Sequence, residues 1–121
     1  MSAAVLTGVA PSAIAGSGTF ATSSIAAGTE LELGATVNHS CEPNLWWTGP
    51  SLFLARREIA VGEELTYDYA TVIADPQFLL RCHCESYRCR QMVTGDDWQI
   101  PQLQQLYAGR WGPDVREHLA S

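Results

Sequence analysis

The sequence predicts a mostly β chain of many short strands with one helix near its C-terminus. Three observations carry that expectation. Short β-prone runs are separated by Gly, Pro, Ser and Asn. The form Ile-Ala-x-Gly-x-Glu occurs twice, at Ile25–Glu30 and Ile59–Glu64. Apolar side chains take up helical spacing at Ile100, Leu103, Leu106 and Tyr107. A length of 121 residues suffices for one modest core. Hydrophobic residues at 46% against 17% charged are the balance of a folded chain, not a disordered one.

Charge narrows the partners. A net charge of −6 without a basic stripe argues against nucleic acid and is compatible with a Lys/Arg-rich peptide. All seven basic residues are arginine, so any lysine chemistry must act on another molecule. No apolar stretch reaches the roughly 20 residues of a membrane span, and Met1–Ala10 lacks the positive start of a signal peptide. The expectation is a soluble, intracellular, cytoplasmic protein with no membrane partner, in which cysteines stay reduced.

In chain order, Val5–Val9 is read as a short strand broken at Pro11-Ser12, and Gly16-Ser17-Gly18 as a turn into Thr19-Phe20-Ala21. Ile25–Leu33 reads as a turn at Gly28 and then a strand with Leu31 and Leu33 on one face. Asn38–Asn44 is polar and irregular, and Pro43 forbids a helix there. Leu45-Trp46-Trp47 and Ser51–Arg56 form a hairpin across Thr48-Gly49-Pro50, and Leu65–Tyr69 continues as a strand. Pro101 suits a first helical turn and Gly109 an end, which gives one helix over Pro101–Ala108.

The four cysteines carry the strongest chemical signal. Cys82, Cys84 and Cys89 form C-x-C-x4-C. Cysteines two positions apart rarely meet the geometry of a disulfide, whereas zinc takes about four thiolates in a tetrahedron. Cys41 is the remaining thiol and closes the count; His83 is a competing ligand hindered by its place between two cysteines. The alternative is an ordinary buried Cys41 beside a reactive cluster. A closed zinc site of this kind is structural.

Four segments then occur in order: GSGTFA at Gly16–Ala21, NHSCEPN at Asn38–Asn44, GEELTYDY at Gly62–Tyr69, and the C-x-C-x4-C run followed by Arg90. Together they resemble the SET-domain family of S-adenosylmethionine-dependent protein lysine methyltransferases, with its post-SET cysteine motif, from about Pro11 to Val93. The resemblance implies a SET-type fold of several small sheets with a knot-like C-terminal segment, a post-SET zinc loop and one short C-terminal helix. It divides the chain into a minimal SET-type domain over 1–80, a zinc-binding segment over 81–93 and a helical tail over 94–121. It also supplies Cys41 as the fourth ligand beside Cys82, Cys84 and Cys89.

For the cofactor, the resemblance implies contacts from Gly16, Ser17, Gly18 and Phe20, from Asn38 and His39, and from Tyr69. Glycines allow the backbone to approach a ligand closely. Arg90, Met92 and Val93 follow the last cysteine, where the resemblance implies an apolar wall over the adenine, and Trp98 is a candidate either for that wall or for core packing. Tyr69 is implied as the catalytic tyrosine that orients the target amine. Tyr67, two positions earlier and on the same face if the strand continues, is implied as the switch that restricts the enzyme to one methyl group.

One departure stands out. Ile25–Val37 is too short to hold the inserted subdomain that walls the substrate cleft in typical members. The expected function is therefore a protein lysine methyltransferase with a half-built cleft. Its alternatives are a cofactor- or peptide-binding module without turnover, and an enzyme acting on a small molecule. A half-built cleft also predicts a homodimer, with Trp46 and Trp47 as candidate exposed apolar surface.

Overall fold

The computed structural model describes residues 6–34 and 36–119. Nine strands precede two helices: β1 (Thr7–Pro11), β2 (Ser17–Ala21), β3 (Glu30–Glu32), β4 (Asn38–His39), β5 (Leu45–Gly49), β6 (Leu52–Ala55), β7 (Glu64–Tyr67), β8 (Leu79–Arg81), β9 (Met92–Thr94), α1 (Pro101–Leu106) and α2 (Pro113–Leu119). Short 3-10 helices lie at Tyr69–Thr71 and Asp97–Gln99. The strands build three small sheets, in the orders β1-β2-β7-β4, β3-β6-β5 and β8-β9. The expected mostly β fold of several small sheets is what the chain forms.

The two Ile-Ala-x-Gly-x-Glu segments act as a matched pair. Ile25 and Ile59 form an antiparallel bridge, each N–H donating to the other's carbonyl at 2.9 and 2.8 Å. Gly28 and Gly62 turn the chain with φ of 85° and 89°, a region that favours glycine. Both isoleucines are buried, and each such burial is worth about 2 kcal/mol of transfer free energy. Leu31, Leu33, Val37, Leu45, Phe53 and Leu65 complete this central core.

Boundaries shift where local chemistry permits. Val5 lies outside the described residues, and the first strand runs through Pro11 instead of stopping before it. β1 is an edge strand, where a missing N–H is tolerated. The hairpin turn centres on Pro50-Ser51, with Ser51 at φ 62°, because β5 runs on to Gly49. β7 ends at Tyr67 instead of Tyr69, since Asp68 accepts the Ala70 N–H and starts a 3-10 turn.

The tail packs on the sheets as a second core. Ala70, Ala74, Leu103, Tyr107, Trp111 and Val115 are buried together, with Trp46, Trp98 and Ile100 against them. The predicted helix appears as α1, and α2 follows it beyond Gly109, which turns at φ 77°. Trp46 is covered edge-on by Tyr107 and by the guanidiniums of Arg56 and Arg110, 4.1 and 4.8 Å from its ring centre. Trp47 packs against the central core. Neither tryptophan forms the exposed patch on which the homodimer was expected.

Candidate functional site

The cysteine cluster is built by three separated segments. Cys41 follows β4, Cys82 and Cys84 follow β8, and Cys89 precedes β9, and their Sγ atoms all lie within 4.8 Å of one another. Cys41 and Cys82 are buried and 3.9 Å apart. Backbone N–H groups already point at the sulfurs, Arg90 to Cys41 at 3.2 Å and Gln91 to Cys89 at 3.4 Å. Burial pushes the Cys41 thiol up to about 11 and the Cys82 thiol further up. Burial pushes Cys84 up as well, but hydrogen bonds from the Cys41 and Ser86 segments outweigh it and bring the thiol to about 7. A divalent cation favours the thiolate throughout. Four converging thiols with N–H donors around them fit one zinc ion.

Beside this cluster, β4 and β7 lie parallel, with Asn38 opposite Thr66 and His39 opposite Tyr67. Asn44 stitches the loop after β4 to β7: its Nδ2 donates to the Glu64 carbonyl and its Oδ1 accepts the Thr66 N–H, both at 2.9 Å. The Asn38 amide donates to Glu64 Oε2 at 2.8 Å and to the carbonyls of Ala15 and Ser17 at 3.0 and 3.1 Å. Glu64 also accepts from Ser12 Oγ at 2.7 Å. These bonds fasten the 12–18 turn to the β4–β7 pair.

His39 joins the metal side to the tyrosine side. Its Nδ1 accepts the Tyr69 N–H at 3.0 Å, which leaves the proton on Nε2, directed at Cys41 Sγ 3.3 Å away. Burial, aided by Arg90, lowers its pKa to about 4 against the opposing pull of Asp68, so the ring is neutral near pH 7. The Tyr69 phenol donates to the Val37 carbonyl at 2.8 Å, and its ring lies 4.9 Å from that of Tyr67 and 5.2 Å from that of His39. Burial, with Tyr69 beside it, pushes the Tyr67 phenol up to about 12. Burial, with Glu64 nearby, raises Tyr69 too. Both phenols are protonated near neutrality and can donate, which excludes them as bases in the resting state.

A cavity of about 90 Å³ opens on this assembly, lined by Ile14, Ala15, Asn38, His39, Tyr69 and the Leu80–His83 segment. Larger clefts lie elsewhere, and Asn38, His39 and Tyr69 share this one. Gly16 and Ser17 are exposed on the turn beside it. Gly18 is buried for an internal reason: a Cβ there would overlap the Glu64 carboxylate and crowd the Asn38 amide. Phe20 is half-buried and pairs with Glu64 in the sheet. Met92 and Val93 do not line the cavity. Val93 is fully buried beside Cys41 and Cys82, and Met92 is exposed. Trp98 lies in the tail core, stacked on His118 at 5.2 Å.

Arg90 belongs to a buried charge network that sequence reasoning missed. It makes a bidentate pair with Asp68 at 2.8 and 2.9 Å and bonds Asp97 at 3.1 Å. Tyr107 Oη donates to Asp68 Oδ2 at 2.9 Å. Glu64, Asp68 and Arg90 all lay inside the quoted strings, and the only signal for them was a charged residue among residues that the fold buries.

Residues 30–70 match the family model described as SET domain. The histone-lysine N-methyltransferase ash1 of Drosophila melanogaster is 38% identical over 74 residues, covering 55% of this chain and 3% of the relative. The probable histone-lysine N-methyltransferase set-23 of Caenorhabditis briggsae is 40% identical over 69 residues, covering 50% of this chain and 29% of the relative. The chain thus spans a small part of the curated relatives it matches. A solved structure of KRYPTONITE in complex with mCHG DNA and SAH superposes with a TM-score of 0.54 at 22% identity, over 69% of this chain and 28% of that one. Residues 30–70 carry the sequence of the SET domain family, and the fold built around them is of the SET type.

Proposed function

We propose that this chain is an S-adenosylmethionine-dependent protein lysine methyltransferase that adds mainly one methyl group. The observation that carries the reading is the convergence of Asn38, His39 and Tyr69 on one cavity beside the four cysteines. The names of the relatives, histone-lysine N-methyltransferases, support the substrate class. A second solved structure of KRYPTONITE, with an H3 peptide and SAH, supports a peptide partner and the cofactor.

When bound, S-adenosylmethionine supplies a methyl group on a positively charged sulfur. This chain's residues then have three tasks. The exposed Gly16-Ser17 turn and the backbone of Asn38 and His39 hold the cofactor, and the Asn38 amide fixes that turn by its Ala15 and Ser17 bonds. Tyr69 Oη orients the ε-amine of the incoming lysine. The amine must arrive without its proton, because an ammonium has no lone pair, and desolvation lowers its pKa from about 10.4. The bound cofactor would supply the methyl group by direct displacement, the amine lone pair forming the N–C bond and the sulfur keeping the electron pair of the S–C bond. Tyr67 narrows the channel beside Tyr69 and restricts the product to monomethyl-lysine. A structural zinc ion on Cys41, Cys82, Cys84 and Cys89 holds the 81–93 segment in place.

Incubation with methyl-labelled cofactor, a peptide array and a cell extract tests this reading. Label in protein supports it. Label in the small-molecule fraction points to a small-molecule enzyme working through the shortened cleft, and no label points to a binding module.

A further inference from the structure

The tail beyond the zinc segment lies outside the SET match, yet it reaches the turn that presents Tyr69. Asp68 immediately precedes Tyr69 and caps the 3-10 helix Tyr69–Thr71 through its Oδ1 bond to the Ala70 N–H at 2.9 Å. The same carboxylate, 1% exposed, takes two bonds from Arg90 and one from Tyr107. Four donors therefore saturate it, and three of them come from residues at least 22 positions away. A second tail bond reaches the far end of the turn, from the Gly112 N–H to the Thr71 carbonyl at 2.6 Å. Gly112 fits there because a Cβ would crowd Val72, Trp47 and that carbonyl at 3.1 to 3.2 Å.

From this arrangement we infer that Tyr107 is a positioning residue for Tyr69, acting through the Asp68 carboxylate. Its ring is fixed edge-on between Trp46 and Trp111, with centroids 5.9 and 5.7 Å away, so the hydroxyl has a single aim. Arg90 anchors the carboxylate from the zinc side and Tyr107 from the tail side, so the cap cannot rotate without breaking a bond to one of them. The tail thereby gives the Tyr69 turn a second support, in a chain whose short Ile25–Val37 stretch leaves no room for an inserted subdomain. Burial, followed by the Asp68 charge, raises the Tyr107 phenol well above its ordinary value, which keeps it a donor. The role rests on the reading of Tyr69 given above, but the coupling itself does not require that the protein be an enzyme.

The experiment uses the full zinc-loaded chain, labelled with carbon-13 at tyrosine Cζ. Four tyrosines give four resonances, and Tyr69→Phe assigns the one of interest. Tyr107→Phe removes one oxygen and leaves Asp68 its Arg90 and Ala70 bonds, so the variant retains the fold. Val115→Ala perturbs the same core without removing a ring that holds Tyr107 or a bond to Asp68, and serves as the control. The expected result is a shifted Tyr69 resonance in Tyr107→Phe and none in Val115→Ala. In parallel, kcat for methyl transfer falls about tenfold to a hundredfold, the worth of one hydrogen bond to a charged group, with KM for the cofactor unchanged. A Tyr69 resonance that stays put in Tyr107→Phe, or moves equally in both variants, overturns the inference. Wild type without any transfer to protein would defeat the enzyme reading, and the resonances would still decide the coupling.

Discussion

Asp68 is the residue on which the site turns, and it was invisible as such in the sequence. It stood in a quoted string between two tyrosines, but its partners Arg90 and Tyr107 lie 22 and 39 positions away, beyond any local pattern. Asn38, His39, Tyr69 and the four cysteines were legible because each sits in a short string whose residue types have few other uses. Burial alone would raise the Asp68 pKa, but the Arg90 hydrogen bonds and charge, then His39 and the Ala70 N–H, bring it below the usual carboxylate range. A depressed carboxyl contributes stability that is present above its unfolded pKa of about 3.9 and lost as pH falls through the folded value. Asp68→Asn should therefore cost about 3 kcal/mol at pH 7, because it leaves the half-buried Arg90 guanidinium with Asp97 as its remaining carboxylate. Urea titrations at stepwise lower pH should show the gap between wild type and variant closing below about pH 4. A gap constant with pH would mean that the carboxylate charge is not what stabilises. At the neighbouring Tyr67, Tyr67→Phe removes the hydroxyl proposed to restrict the channel and should move products toward di- and trimethyl-lysine, read by mass spectrometry. Wild type already giving mostly trimethyl-lysine would refute the switch.

Among the elements, the paired Ile-Ala-x-Gly-x-Glu turns were legible because glycine at positive φ and a buried isoleucine are both written locally. The end of β7 was not. A strand reading carries Tyr69 onward in alternation, and only the Asp68 cap, sustained by distant partners, bends the chain into a 3-10 turn. The α2 helix escaped notice because seven residues with one buried side chain, Val115, give almost no periodic signal. The zinc segment makes a sharper demand. Its two-strand sheet is short and partly exposed, with Leu79 and Met92 open to solvent, so a zinc ion on the four cysteines would supply much of its order. Chelator treatment should lower the melting temperature and release one zinc ion per chain. Cys41→Ser should weaken metal binding as much as Cys84→Ser does, although the two lie on different elements. Reduced protein that purifies without metal and melts identically with and without chelator would remove zinc from the account.

For the molecule as a whole, the fold class and the order of the sheets' motifs were readable in advance, while the way the tail closes the structure was not. Trp46 and Trp47 looked like surface in search of a partner, and the tail's own Tyr107 and Arg110 cover Trp46. The expected homodimer thereby loses Trp46 as a candidate surface, and light scattering at micromolar concentration checks the assembly directly. S-adenosylhomocysteine should stabilise the folded chain by about 2.7 kcal/mol at a hundredfold excess over its Kd. Asn38→Ala, which frees the 12–18 turn, should remove most of that stabilisation. The central claim is that Tyr69 orients an amine for methyl transfer at the cavity it shares with Asn38 and His39. The most direct test compares wild type and Tyr69→Phe for transfer to protein lysine, with S-adenosylhomocysteine affinity measured on the same samples. The account predicts a fall in kcat of about a hundredfold or more with cofactor affinity retained. Equal turnover by Tyr69→Phe would contradict it.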